Sequence, residues 1–126
     1  MPDAVIERNI TIGGFASSSK KTYTDSAQIR IDEDIADSDP DRAVALTLTV
    51  AKIKVWLMVC DKAIKVETNN GSTPDETFDL TAGVPMLWTD DDETTNPLAT
   101  DITGLFLTNT SGSTAKFQFF ALYDAT

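Results

Sequence analysis

A chain of 126 residues with 41% apolar side chains, 6 Gly and 5 Pro is long enough for one domain with a real core, and is neither disordered nor fibrous in composition. Twenty acidic against 10 basic residues give a formal charge of −10, which repels phosphate backbones and anionic membranes and argues against either as a direct partner. The lack of any histidine excludes Ser-His-Asp and Cys-His catalysis and histidine-containing metal sites, while the lone cysteine, Cys60, allows no internal disulfide.

Threonine occurs 18 times, and a β-branched side chain is better accommodated on a pleated strand than in a helix. The start, Met1-Pro2-Asp3-Ala4-Val5, has neither a basic nor an apolar stretch, so no targeting segment is expected. Ile6, Arg8, Ile10 and Ile12 alternate with polar residues as a first strand that ends at Gly13-Gly14. Ala16 to Lys21 reads as a small-residue loop. A second strand, entered near Tyr23, carries Ala27, Ile29 and Ile31, and an acidic connection from Asp32 to Asp41 follows, closed by Pro40.

Val44, Leu46, Leu48 and Val50 share one parity, and Ile53, Val55, Leu57 and Val59 the other. Because the strand period is two, the change at Ala51-Lys52 implies a bulge, a bend or a strand that switches faces. Asp61-Lys62 then turns the chain into a strand bearing Ile64, Val66 and Thr68. Phe78 with Leu80, and Met86 with Trp88, mark two short strands, and a second acidic connection runs from Asp90 to Asn96-Pro97. Leu105 and Leu107 lead to a Ser111-Gly112-Ser113 turn and a last strand through Ala115, Phe117, Phe119, Ala121 and Tyr123. That strand's end is apolar on both faces through Phe120 and Leu122, which implies a cover of some kind. The pattern predicts an all-β fold, an antiparallel β-sandwich or jelly roll of eight to nine short strands, in a single domain over residues 1–126. Residues 1–21 are expected to form an N-terminal strand or an arm contacting a neighbour.

No catalytic residue is assigned, and the chain is expected not to be an enzyme. A glycosidase-type carboxylate pair needs one acid with a raised pKa, and the dense acids here lie in polar loops. Cys60, within the apolar run Leu57-Met58-Val59-Cys60, reads as a buried structural thiol. Asp37, Asp39 and Asp41 at alternate positions, and Asp90 with Asp92, are the candidates for cation binding, because Ca²⁺ favours oxygen ligands on a bent loop. The EF-hand pattern fails there, since Arg42 and Leu48 occupy the positions of its Gly and Glu, and no cofactor is expected beyond a weak case for Ca²⁺. Trp56 and Trp88 read as packing residues, with a sugar-binding platform as the alternative. Phe15, Ile10, Phe120 and Leu122 are the candidates for partner contact.

The second half resembles small β-sandwich structural proteins of tailed-bacteriophage virions. The resemblance is carried by Ala63-Ile64-Lys65-Val66-Glu67-Thr68-Asn69, by Phe78 to Trp88, by Leu105-Phe106-Leu107-Thr108-Asn109 and by Ala121-Leu122-Tyr123-Asp124. It implies a protein assembled in the host cytoplasm that decorates or cements the exterior of a capsid as a homo-oligomer, a trimer by expectation, in contact with the major capsid protein or other virion proteins. A tail or head-tail connector component is the first alternative, and a carbohydrate-binding or adhesion module the second.

Overall fold

The computed structural model describes residues 1–126, Asp39 by its backbone alone. Among the described residues there are ten strands and no α-helix: β1 (Asp3–Ile12), β2 (Phe15–Thr24), β3 (Ala27–Ile35), β4 (Asp39–Val44), β5 (Ile53–Cys60), β6 (Ile64–Thr68), β7 (Thr77–Leu80), β8 (Met86–Thr89), β9 (Leu105–Asn109) and β10 (Ala115–Tyr123). Eight of them form two four-stranded antiparallel sheets, in the orders β3-β10-β5-β8 and β4-β9-β6-β7, and β1 and β2 form a separate hairpin. From β3 onward each connection crosses to the other sheet except the one between β6 and β7, which are paired neighbours. That alternation is the strand order of a jelly roll, one of the two architectures expected.

The core lies between the two sheets. Trp56 on β5 is fully buried with its ring centroid 6.0 Å from that of Phe78 on β7, so the two sheets meet there through tilted aromatic rings. Its indole N–H donates to Asn96 Oδ1 at 2.7 Å, which removes the cost of burying an unpaired donor. Leu98 and Ile102, from the long connection between β8 and β9, are also fully buried and plug the core from a segment that looks polar in sequence.

The parity break has a physical origin. Val44, Leu46 and Leu48 alternate inward, although after β4 the segment makes only an isolated bridge from Leu48 to Ile102. A single 3₁₀ turn, Val50–Lys52, then redirects the chain into the other sheet, with Val50 N–H held by the Asp101 carboxylate at 2.9 Å. A bulge follows, since Leu122 pairs with Val55 while Tyr123 pairs with Ile53. Trp56, Met58 and Cys60 therefore face the core with Ile53, whereas Val55, Leu57 and Val59 face outward. The expected grouping of Ile53 with Val55, Leu57 and Val59 is corrected by that extra residue.

Two other expectations change. Ala16 to Lys21 is strand rather than loop: Gly13 at φ 57° supplies the positive first position of a two-residue II′-type turn, and Ile12 pairs with Phe15. Ten pairs of residues zip the Ser-rich β2 onto the β-branched β1, and Tyr23 belongs to it. Pro40 lies inside β4 rather than closing a connection, tolerated because β4 is an edge strand, and Asp41 at φ 47° sits at a register shift against β9.

Candidate assembly surface

Each strand of the β1–β2 hairpin has ten residues, about 34 Å of chain at ~3.4 Å per residue. Alternation puts Ala4, Ile6, Arg8, Ile10 and Ile12 on one face, and the pairing register places Tyr23, Lys21, Ser19, Ser17 and Phe15 beside them. At the base, Ala4, Ile6 and Tyr23 cover Val55, Leu87, Phe120 and Leu122 on the outer face of the β3-β10-β5-β8 sheet. Tyr23 is buried there, and its hydroxyl reaches Thr89 Oγ1 at 3.3 Å. This cover explains why the end of β10 is apolar on both faces.

Midway along, two ion pairs fasten the hairpin to the loop that follows β8. Arg8 Nη2 lies 3.1 Å from Asp92 Oδ1, and Lys21 Nζ pairs with Asp91 while lying 4.9 Å from the Tyr23 ring centroid. The hydrogen bond from Lys21 holds the Asp91 carboxyl below its ordinary range, and Asp91 in return raises Lys21. Burial pushes Asp92 upward, but the Thr89 N–H and hydroxyl and the Arg8 guanidinium outweigh it and leave the carboxyl lowered.

Beyond these latches the hairpin is free. Every residue from 7 to 22 is exposed, and among the described residues those of 9–19 make no side-chain hydrogen bond or ion pair to the body. Ile12 is 70% exposed, Phe15 65% and Ile10 48%, on the same face by which the base is docked. The segment 9–19 contains no charged residue in a chain that is 24% charged. The hairpin is thus an arm: anchored at its base, latched at its middle, and carrying an uncharged, partly apolar tip that extends roughly 15 Å further.

Of the residues expected at a partner contact, Ile10 and Phe15 lie together on this tip and Phe120 is half-buried beside the arm's base. Leu122 is not available to a partner, because the arm of its own chain buries it completely. Val5, Ile12 and Leu57 were not singled out in sequence, although the alternation of β1 places Ile12 with Ile10.

The acidic candidates are dispersed. Asp37 accepts the Gly112 N–H at 2.9 Å, Asp41 Oδ1 lies 3.5 Å from the Thr108 hydroxyl, and Asp92 is taken by Thr89 and Arg8. The expectation at Asp39 concerns a side chain outside the described residues. Among the described residues no three His, Cys, Asp or Glu side chains gather as metal ligands. Asp90 contributes its backbone N–H to Lys54 O at 2.8 Å, a strand-end contact. The carboxylates of Asp37, Asp41 and Asp92 act as loop fasteners.

An open groove of about 780 Å³ is lined by Asp32, Asp34, Arg42, Asp61 and Lys116 among others. Asp32 there is lowered, first by the Gln118 amide and then by Arg30, the reverse of what a carboxyl acid catalyst requires. Cys60 is buried and its thiol is pushed up by that burial, away from the thiolate a nucleophile would need. Trp56 is buried and Trp88 half-buried, with its indole N–H on Thr94 O at 3.1 Å, so the two rings form no exposed platform.

No family model matches the chain, and no curated protein matches it either. A solved structure described under the words "Bacillus endospore appendages form a novel family of disulfide-linked pili" aligns over 79% of this chain and 88% of that one, at 9% identity and a TM-score of 0.39. A likeness at that score carries no functional argument.

Proposed function

We propose that the protein is a non-enzymatic structural component of a tailed-phage virion, seated on the outside of the capsid as a symmetric oligomer, with the β1–β2 arm as its contact element. The observation that carries the reading is the arm tip, where Ile12 and Phe15 stand 70% and 65% exposed on the face that the arm uses for docking. Contiguous exposed apolar residues on a projecting hairpin favour a protein partner, because solvent exposure of such a face is otherwise unfavourable. The resemblance of the second half to phage structural proteins supplies the kind of particle, and the jelly roll supports it by fold analogy alone.

The test is occupancy of particles. Particles grown without the protein should bind it saturably when it is added back, and imaging with and without it should show added density on the capsid surface. Phe15→Asp, which puts a charge at the tip, should abolish that binding while leaving the fold intact. Density at the tail or the head-tail junction would move the protein to those positions. A chain absent from purified particles, and monomeric by light scattering, would overturn the reading.

A further inference from the structure

We propose that the arm tip of one copy docks on the outer face of the β3-β10-β5-β8 sheet of a second copy, setting Phe15 and Ile12 against Leu57, Val59 and Phe120. This rests on the reading that the arm is the contact element, and it adds the surface that receives it.

Continuity of surface is the first support. The inner half of the arm already sits on this sheet face through Ala4, Ile6 and Tyr23 against Val55, Leu87, Phe120 and Leu122. The apolar strip does not end where the arm leaves it. Leu57, Val59 and Phe120 continue it, half-buried, around a cleft of about 250 Å³ that Arg30 and Gln118 also border. That is the space of about eight waters at ~30 Å³ each, enough for one aromatic ring. One face of the arm and one face of the sheet therefore share their chemistry, half satisfied within the chain and half left open on each.

The latches decide that the open halves meet between molecules. Arg8 and Lys21 are tied to Asp92 and Asp91 in the loop after β8, at one edge of the sheet, so the tip continues outward from that edge. The cleft lies on the other side, where β5, β10 and β3 contribute Leu57, Phe120 and Arg30. A copy's own tip thus points away from its own cleft.

Charge selects the same pair of surfaces. Two chains of −10 repel one another, and the approach is least costly where the meeting surfaces bring no acidic side chain against another. Residues 9–19 are uncharged, and the apolar lining of Leu57, Val59 and Phe120 is bordered by a single cation, Arg30, that is paired with Asp32. Residues 3–24 hold three basic and two acidic side chains, a net +1 against −11 for the remainder, so the arm as a whole is drawn toward a neighbour's body. Because tip and cleft are different surfaces, each copy offers one of each, and the contact is made either reciprocally within a two-fold pair or head-to-tail along a series of copies.

Complementation between two broken copies tests this. Phe15→Asp destroys the tip and Val59→Asp destroys the cleft, each expected to weaken self-association roughly 30-fold or more, as loss of an interface hot spot does. By light scattering, the wild type should be an oligomer, each variant alone a monomer, and their equimolar mixture a dimer, since the first keeps its cleft and the second its tip. Circular dichroism establishes that both variants fold. Should Val59→Asp not fold, Phe15→Cys and Val59→Cys in a Cys60→Ala background give the second measurement: mixed under mild oxidant, they should cross-link to each other in preference to themselves. If Val59→Asp assembles like the wild type while Phe15→Asp does not, the receiving surface is wrong and the arm remains the contact element. If the wild type is monomeric at every concentration but its tip is still needed for particle binding, the occupant is another virion protein and the inference is overturned. If neither variant changes assembly or particle binding, both readings fall.

Discussion

Arg8 and Asp92, 84 positions apart in the chain, meet at 3.1 Å, and Asp92 also accepts from the Thr89 N–H and hydroxyl, so one carboxylate ties the arm to the end of β8. Asp92→Ala should free the middle of the arm without unfolding the sandwich. Hydrogen exchange should rise across residues 3–24 and stay unchanged in β5 and β10, with a global stability loss under about 1 kcal/mol, as for other partly exposed ion pairs. Equal exchange in variant and wild type would show that the pair does not hold the arm.

Acid should release the same latch. Asp91 and Asp92 are lowered in the folded chain, so their contribution is complete above the ordinary carboxylate pKa of about 3.9 and is lost as pH falls through their lowered values. Lys21 is raised, so its contribution is complete below about 10.4 and is lost as pH rises through its raised value. The arm should therefore be fastened from about pH 4 to about pH 10 and loosen outside that window. Amide protection of β1 and β2, corrected for intrinsic exchange, that stays flat down to about pH 2 would contradict this.

Leu122 belongs to the core the arm creates. Leu122→Ala should cost about 2–5 kcal/mol in denaturant unfolding, as truncation of a fully buried leucine does, whereas Ile12→Ala at the exposed tip should cost less than about 0.5 kcal/mol. Similar values for the two would mean that the arm does not cover β10 in solution.

Asn109 is fully buried and donates from Nδ2 to Ile35 O at 2.9 Å and Ser113 O at 2.8 Å, while its Oδ1 accepts the Ser111 N–H at 3.0 Å. It joins the β9–β10 turn to the end of β3. Asn109→Asp would set a carboxylate among carbonyl oxygens, with a cost of about 1–3 kcal/mol or more for the lost donor. That penalty requires the charged form, so the carboxyl should be raised in the folded variant. The stability gap to the wild type should accordingly narrow as pH falls. A gap independent of pH between about 4 and 8 would refute the role.

Cys60 should be inert in the native state. Burial covers its sulfur and raises its pKa, so an aromatic disulfide reagent at pH 8 should label it only as fast as the domain opens. Labelling as rapid as that of a denatured control would place the thiol at the surface.

Much of the sandwich was legible because its signal is local. β7, β9 and most of β10 each show an alternation that survives in the burial pattern, and Trp56 sits in the densest apolar stretch. What escaped depends on partners distant in sequence. β2 has Ser17, Ser18, Ser19 and Lys20 where a strand signal would need branched or aromatic residues, and it is a strand because Gly13-Gly14 folds it onto β1. Leu122 looked like an interface residue because nothing local reveals that the N-terminus returns to cover it. Leu98 and Ile102 sit singly among polar neighbours, and no periodicity marks a residue that plugs a core from a loop. Asp91 and Asp92 look like a solvated acidic run until the cations of the arm are placed beside them.

The free borders of the two sheets have a consequence for how this protein behaves when crowded. β4 carries Pro40 and a displaced register, β3 carries Asp32, Glu33 and Asp34 just before its last residue, and β7 and β8 have four residues each. Each of these features disfavours pairing with another chain's backbone, which is how jelly-roll bodies would otherwise fuse into continuous ribbons. Ribbon growth through the borders of the two four-stranded sheets is thereby disfavoured, and the long unpaired borders that remain are those of the β1–β2 hairpin.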